Sequence, residues 1–253
     1  MNKTWTSFNV VLLLSLWASL ALAGESLPKV LFDQGHKQQF LIGEKGELQL
    51  SALAEIIRSK GAVVAASVGP LSDDTLQGVA ALVISGPFEP LQAEEVEAVA
   101  RFVESGGHLA AMLHVGPPLA GLLDRLDIDY SNSVLHERNN IIDKDINFHV
   151  RELGTHPLFD GLGQFSIYGG WALKAGKEVA PIAHTSAEAW VDLDGDKALS
   201  KSDAVGAFDV VVAGSLGAGS YLVFGDDAIF QNRFLDHDNA KLSANLANWL
   251  IGR

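Results

Sequence analysis

Short apolar runs alternate with amphipathic stretches of helical spacing through the first half of the chain, and that alternation leaves few folds open. Lys29-Val-Leu-Phe-Asp33 reads as a strand ending at Gly35. Glu47 to Lys60 places Leu48, Leu50, Leu53, Ile56 and Ile57 near helical spacing, with Gly61 beyond as a stop. Ala62 to Ser67 reads as a second strand, and Ser72 caps a brief helix with acids in its first turn. Val79 to Ser85 is apolar throughout, as a buried strand is. Leu91 to Ser105 is the clearest amphipathic helix, stopped by Gly106-Gly107 and followed by a strand over His108–Val115. Strands separated by helices need crossover connections, so the pattern predicts an α/β fold: a three-layer, mostly parallel sheet with helices on both faces.

The second half changes character. From Asp127 to Ala207 the strand signals shorten and turns multiply. Phe208–Ala213 and Tyr221–Gly225, joined by a glycine-rich turn, read as an antiparallel hairpin added at the sheet edge. That turn lacks the Gly-Lys-Ser/Thr ending of a phosphate loop and joins two strands. Asn239 to Ile251 predicts a final helix capped by Asp236 or Asp238.

Composition removes several chemistries. The 253 residues contain no cysteine, which excludes disulfides, thiolate zinc sites and a thiol nucleophile. A net charge of −13 argues against nucleic acid or an anionic membrane surface as partner. At the start, Lys3, the apolar run Val10–Leu20 and Ala21-Leu22-Ala23 read as a secretory signal over residues 1–23. The expectation is an exported protein, periplasmic or secreted, with a single domain over 24–253 and no stable membrane insertion after cleavage.

VLFDQGH at the first strand end, VISGP followed by the helix and strand EEVEAVARFVESGGHLAAML, and FGDDAIFQN ahead of the last helix together carry a resemblance. The chain resembles the class I glutamine amidotransferase-like superfamily, in an uncharacterised exported bacterial branch, over roughly residues 29–252. The resemblance implies a flavodoxin-like fold. It also implies a nucleophilic cysteine in the turn after the fourth strand, where this chain reads His114-Val115-Gly116-Pro117-Pro118. The family's glutaminase chemistry is therefore closed to it.

Two groups of residues carry candidate chemistry. The first is an EF-hand-like loop, with Asp192, Asp194 and Asp196 at ligand positions one, three and five. The Ala198 carbonyl, Leu199 as apolar anchor, Ser200 near a water-mediated position and Asp203 complete it. Three carboxylates this close repel unless a cation sits among them, so the loop predicts a structural Ca2+. Against the pattern, Lys197 stands where a glycine is usual and Asp203 is shorter than the usual glutamate. The second group is positional. Ligands of open parallel sheets bind beyond the carboxyl ends of the strands, which here offer Asp33, Gln34 and His36, then Ser85-Gly86-Pro87, His114, and Asp226, Asp227 and Asn232. Ordinary turn and capping chemistry also explains these residues.

Trp171, Trp190, Tyr168 and Phe165 read as core rather than as a stacking platform. In Thr155–Gly161, Pro157 fixes a turn and Leu158 or Phe159 fills the core, and His136–Asn140 reads as a polar loop. The expectation is a non-catalytic binding or assembly domain, with a protein or small-molecule ligand and a calcium-stapled loop. The alternative is a metal-assisted hydrolase using Asp33, His36, His114 and Asp226.

Overall fold

A computed structural model describes residues 27–253, so the signal-sequence expectation lies outside the described residues. In chain order the elements of the first half are β1 (Lys29–Asp33), α1 (Ser51–Ser59), β2 (Val63–Ser67), α2 (Asp73–Leu76), β3 (Ala81–Ser85), α3 (Ala93–Glu104), β4 (His108–Met112) and α4 (Ala120–Arg125). There follow β5 (Ile128–His136), β6 (Asn147–Val150), β7 (Glu152–Leu153), β8 (Phe165–Tyr168), β9 (Trp171–Ala175) and β10 (Ala180–His184). The chain closes with β11 (Trp190–Val191), β12 (Ala204–Val205), β13 (Asp209–Leu216), β14 (Gly219–Phe224) and α5 (His237–Leu250).

The protein is a mixed α/β structure built on one large sheet. Five strands run parallel in the order β2-β1-β3-β4-β14, and beyond β14 the sheet continues antiparallel through β13, β9, β5, β11 and β12. β10 and β7 branch from β13, and β6 pairs with β8 in a small separate sheet. Alternation along the parallel strands sends successive residues to opposite faces. Val30, Phe32, Val83 and Met112 pack with Leu53 and Ile57 of α1 and Leu242 and Leu246 of α5. Leu31, Leu82, Ile84 and Leu109 pack with Val99 and Val103 of α3 and Leu122 of α4.

The structure moves three predicted features. The β13–β14 hairpin lies inside the sheet, because β14 pairs in parallel with β4 along its length. Tyr221 to Phe224 is buried at every position, which an edge strand would not be. The first helix begins at Ser51 rather than Glu47. The chain at Asn232 and Arg233 takes the carbonyls of Gln49 and Glu47 through its N–H groups, holding 47–49 out of the helix, and Asn232 Oδ1 accepts the Ala52 N–H. The last helix starts at His237, with Asp236 rather than Asp238 as its cap, accepting the Asn239 N–H at 2.9 Å.

Candidate functional site

The carboxyl ends of β1, β3, β4 and β14 stand side by side, so Asp33, Gln34, Ser85, Gly86, His114, Asp226 and Asp227 gather along one edge. The four residues of the metal-assisted alternative do not converge there: Asp33 and His36 are bonded to each other, His114 bonds Asp227, and Asp226 bonds backbone N–H groups. In the Asp33–His36 group, His36 Nδ1 donates to Asp33 Oδ2 at 2.8 Å and His36 Nε2 donates to Glu95 Oε1 at 3.1 Å. Gln38 Nε2 also donates to Asp33 Oδ2, and Glu95 accepts the Leu71 and Gln92 N–H groups at 2.8 Å each. All four side chains are buried. The Asp33 hydrogen bond, working against burial and helped by the charge of both carboxylates, lifts His36 to about 9. Burial pushes Glu95 up, but the Gln92 N–H, His36 and the Leu71 N–H outweigh it and hold Glu95 below the usual range. With both ring nitrogens committed, His36 has no lone pair for a metal or a substrate proton.

The second group centres on His114. Its Nδ1 lies 3.1 Å from Asp227 Oδ1, and its ring packs against both Phe40 and Phe88, with ring centroids 5.1 Å away in each case. The Asp227 hydrogen bond raises His114 against the effect of burial. Asp226 beside it is fully buried and accepts the Tyr168 and Ala228 N–H groups at 2.7 and 2.9 Å. Burial and then the charge of Asp227 push Asp226 up to about 8. Burial raises Asp227 as well, with His114 opposing. Gly86, at φ +53, lets β3 approach this pair, since a Cβ there would overlap the Asp227 carboxylate and crowd His114.

Among the described residues, three buried side-chain polar atoms have no hydrogen-bond partner: Gln34 Nε2, Ser85 Oγ and Asp227 Oδ2. All three belong to this one edge. Asn232, grouped with them by sequence, serves α1 instead, donating from Nδ2 to Gly46 O and Ser51 Oγ. Sequence reading missed Glu95, Gln38, Phe40 and Phe88. Glu95 reads there as an ordinary first-turn acid of α3, and its capping box with Gln92 is the only local signal it gives.

The acidic loop has a different character. One oxygen from each of Asp192, Asp194 and Asp196 falls within 4.8 Å of the others. Asp192 is buried and accepts the Gly195 and Lys197 N–H groups, and Asp203 accepts those of Leu193 and Ser200. Lys197 takes φ +61, the left-handed turn that a glycine usually supplies at this position. Leu199 is 39% exposed, so it does not anchor the loop on the core; β11 and β12 hold the loop's ends.

Of the four aromatics read as core, Tyr168 and Trp171 are only half-buried. The polar loop expected over His136–Asn140 is corrected: His136 ends β5 and stacks on Trp190 at 4.0 Å between ring centroids, while Glu137 is buried and accepts the Ser186 N–H and hydroxyl. Phe165 and Trp190 are core residues, His156 Nδ1 accepts the Leu158 N–H at the start of its turn, and Leu158 and Phe159 are buried. A cleft of about 650 Å3 lies at the amino ends of β3 and β4, away from the His114 group.

The sequence family described as "Domain of unknown function (DUF4350)" matches residues 44–247. The chain belongs to this family. No curated protein matches it. Among solved structures, the mmIFT52 N-terminal domain is similar at a TM-score of 0.70 and 18% identity, over 88% of this chain and 97% of that one. A ThuA-like protein from Bacteroides uniformis is similar at 0.52 and 15%, over 90% and 92%. The cold-adapted β-galactosidase from Rahnella sp. R3 is similar at 0.56 and 14%, over 89% of this chain and 31% of the enzyme. At such identities the likeness concerns fold alone. The resemblance to class I glutamine amidotransferases is thereby corrected, since the matching family is DUF4350 and these neighbours are ThuA-like, IFT52 and β-galactosidase domains. The segments that carried the resemblance, a helix stopped by Gly-Gly before a buried strand and an acidic turn before a terminal helix, are general needs of an α/β sheet.

Proposed function

We propose that this DUF4350 protein is an exported, non-catalytic binding domain, periplasmic or secreted, whose small polar ligand sits at the carboxyl edge beside His114. The observation that carries the reading is the confinement of the three unpartnered buried polar atoms to that edge. Each costs roughly 1–3 kcal/mol while unpaired, so a ligand supplying donors and acceptors there recovers what folding left unmet. The parallel order β2-β1-β3-β4-β14 supports a flavodoxin-like, three-layer core within residues 27–253, in which Gln34 and Ser85 flank the point where strand order reverses. Binding without catalysis fits the satisfied states of His36 and Asp226. A thermal-shift panel of small polar molecules tests the reading. Ligands that raise the melting temperature of the wild type are expected to lose the effect in Ser85→Ala and His114→Ala. A panel without hits, or hits unchanged in both variants, rejects it.

A second reading concerns the acidic loop, where the convergence of three carboxylates supports a structural Ca2+ held by Asp192, Asp194, Asp196, the Ala198 carbonyl and Asp203. Millimolar Ca2+ is expected to raise the melting temperature of the wild type relative to chelator, by mass action, and to leave Asp194→Ala unmoved. Equal melts of the wild type in both conditions reject the ion.

A further inference from the structure

We propose that β2 is a self-association edge through which two copies of the chain pair antiparallel and continue the sheet. β2 ends the strand order, and among the described residues nothing pairs with its outer side. Val63 N–H donates to Pro28 O and Gln34 N–H to Ser67 O, so residues 63, 65 and 67 turn their backbone groups toward β1. The N–H and C=O groups of Val64 and Ala66 therefore face outward. Sheet proteins normally blunt such an edge with lysine, proline, a bulge or a very short strand. β2, Val-Val-Ala-Ala-Ser, carries neither charge nor proline. It also leaves Val63 48% and Val68 84% exposed, with Leu27 exposed at the same end as Val63. The opposite edge of the sheet is blunted, since β12 has only two residues.

The occupant that fits is a second copy. In a chain of net charge −13 most surfaces repel their own kind, whereas this edge has no carboxylate from 63 to 67. Lys29, Lys60 and Arg253 stand at its amino end, where Arg253 Nη1 donates to Lys60 O. Its carboxyl end, Val68-Gly69-Pro70, is uncharged. Antiparallel pairing sets each cationic end against the partner's uncharged end, whereas parallel pairing would oppose the cations. A two-fold axis at Ala65 lets Val64 of one copy exchange both backbone hydrogen bonds with Ala66 of the other, and the reverse. It also places Val68 opposite the partner's Ala62. Because the contact is isologous it closes at two copies and leaves no propagating edge.

Sedimentation of the purified protein through a dilution series is expected to give a dimer that dissociates on dilution. Ala66→Pro removes an outward N–H that β1 does not use, and is expected to halve the mass at every dimeric concentration, while Ala66→Thr keeps the dimer. Hydrogen exchange of the wild type provides a readout independent of the variants. The Val64 and Ala66 amides are expected to be slow when concentrated and fast when dilute. A wild type that is monomeric throughout, an Ala66→Pro variant that folds and remains dimeric, or amides that exchange fast at every concentration each overturns the proposal.

Discussion

Glu95→Ala is expected to lower stability by about 3–5 kcal/mol, the cost of removing one partner from a buried charged pair. Glu95 accepts three hydrogen bonds, from His36 Nε2 and from the N–H groups of Leu71 and Gln92, and it is buried as it does so. Truncation therefore strands a protonated imidazole and two N–H groups at the junction of β1, α3 and the loop before α2. Denaturant unfolding measures the loss as a fall in midpoint at unchanged slope. The pair also couples. Removing His36 first, as His36→Gln, takes away the charge that Glu95 serves, so the double variant should lose less than the two single losses added together. Strict additivity, or a Glu95→Ala variant within about 1 kcal/mol of wild type, would show that the cluster contributes little and that α3 is held by its apolar face alone.

Stability is expected to fall as pH rises from neutrality toward 9. His36 is lifted from 6.5 to about 9 by the Asp33 hydrogen bond against burial, so the native state holds that proton more tightly than the unfolded chain. A raised native value contributes in full below 6.5 and is lost as pH climbs through 9. At about 1.4 kcal/mol per pH unit, His36 alone accounts for a loss on the order of 3 kcal/mol. Asp226, lifted by burial and by Asp227 from 3.8 to about 8, acts with the same sign over a lower window, so both contribute between pH 6.5 and 8. Glu95 opposes them on the acid side, because its lowered value gives stability present above 4.5 and lost as pH falls. Urea unfolding at a series of pH values reads the slope directly, and His36→Gln should flatten the limb above neutrality. A profile that is level or rising between pH 6.5 and 9 would contradict both assignments.

The parallel half of the fold was legible because its signals are local. The apolar runs Val79–Ser85 and His108–Val115, bounded by turn residues, contain β3 and β4, and Gly106-Gly107 follows α3 as a helix stop. The site was legible in part. Gln34, Ser85, His114 and Asp227 were placed at one edge by counting strand ends, and that is where the unpartnered atoms lie. Which of the edge residues are free was not legible, because Glu95 reaches His36 from 59 residues away.

Strand and helix identities, the absence of thiol chemistry and the gathering of polar residues at strand ends follow from residue order, since periodicity and turn chemistry act within a few positions of the chain. Tertiary packing alone decided that the β13–β14 hairpin lies within the sheet, that Asn232 serves α1, and that His36 is sealed between two carboxylates while His114 keeps its contact with the surface. Desolvation and long-range hydrogen bonds set those outcomes, and neither is defined until distant segments meet.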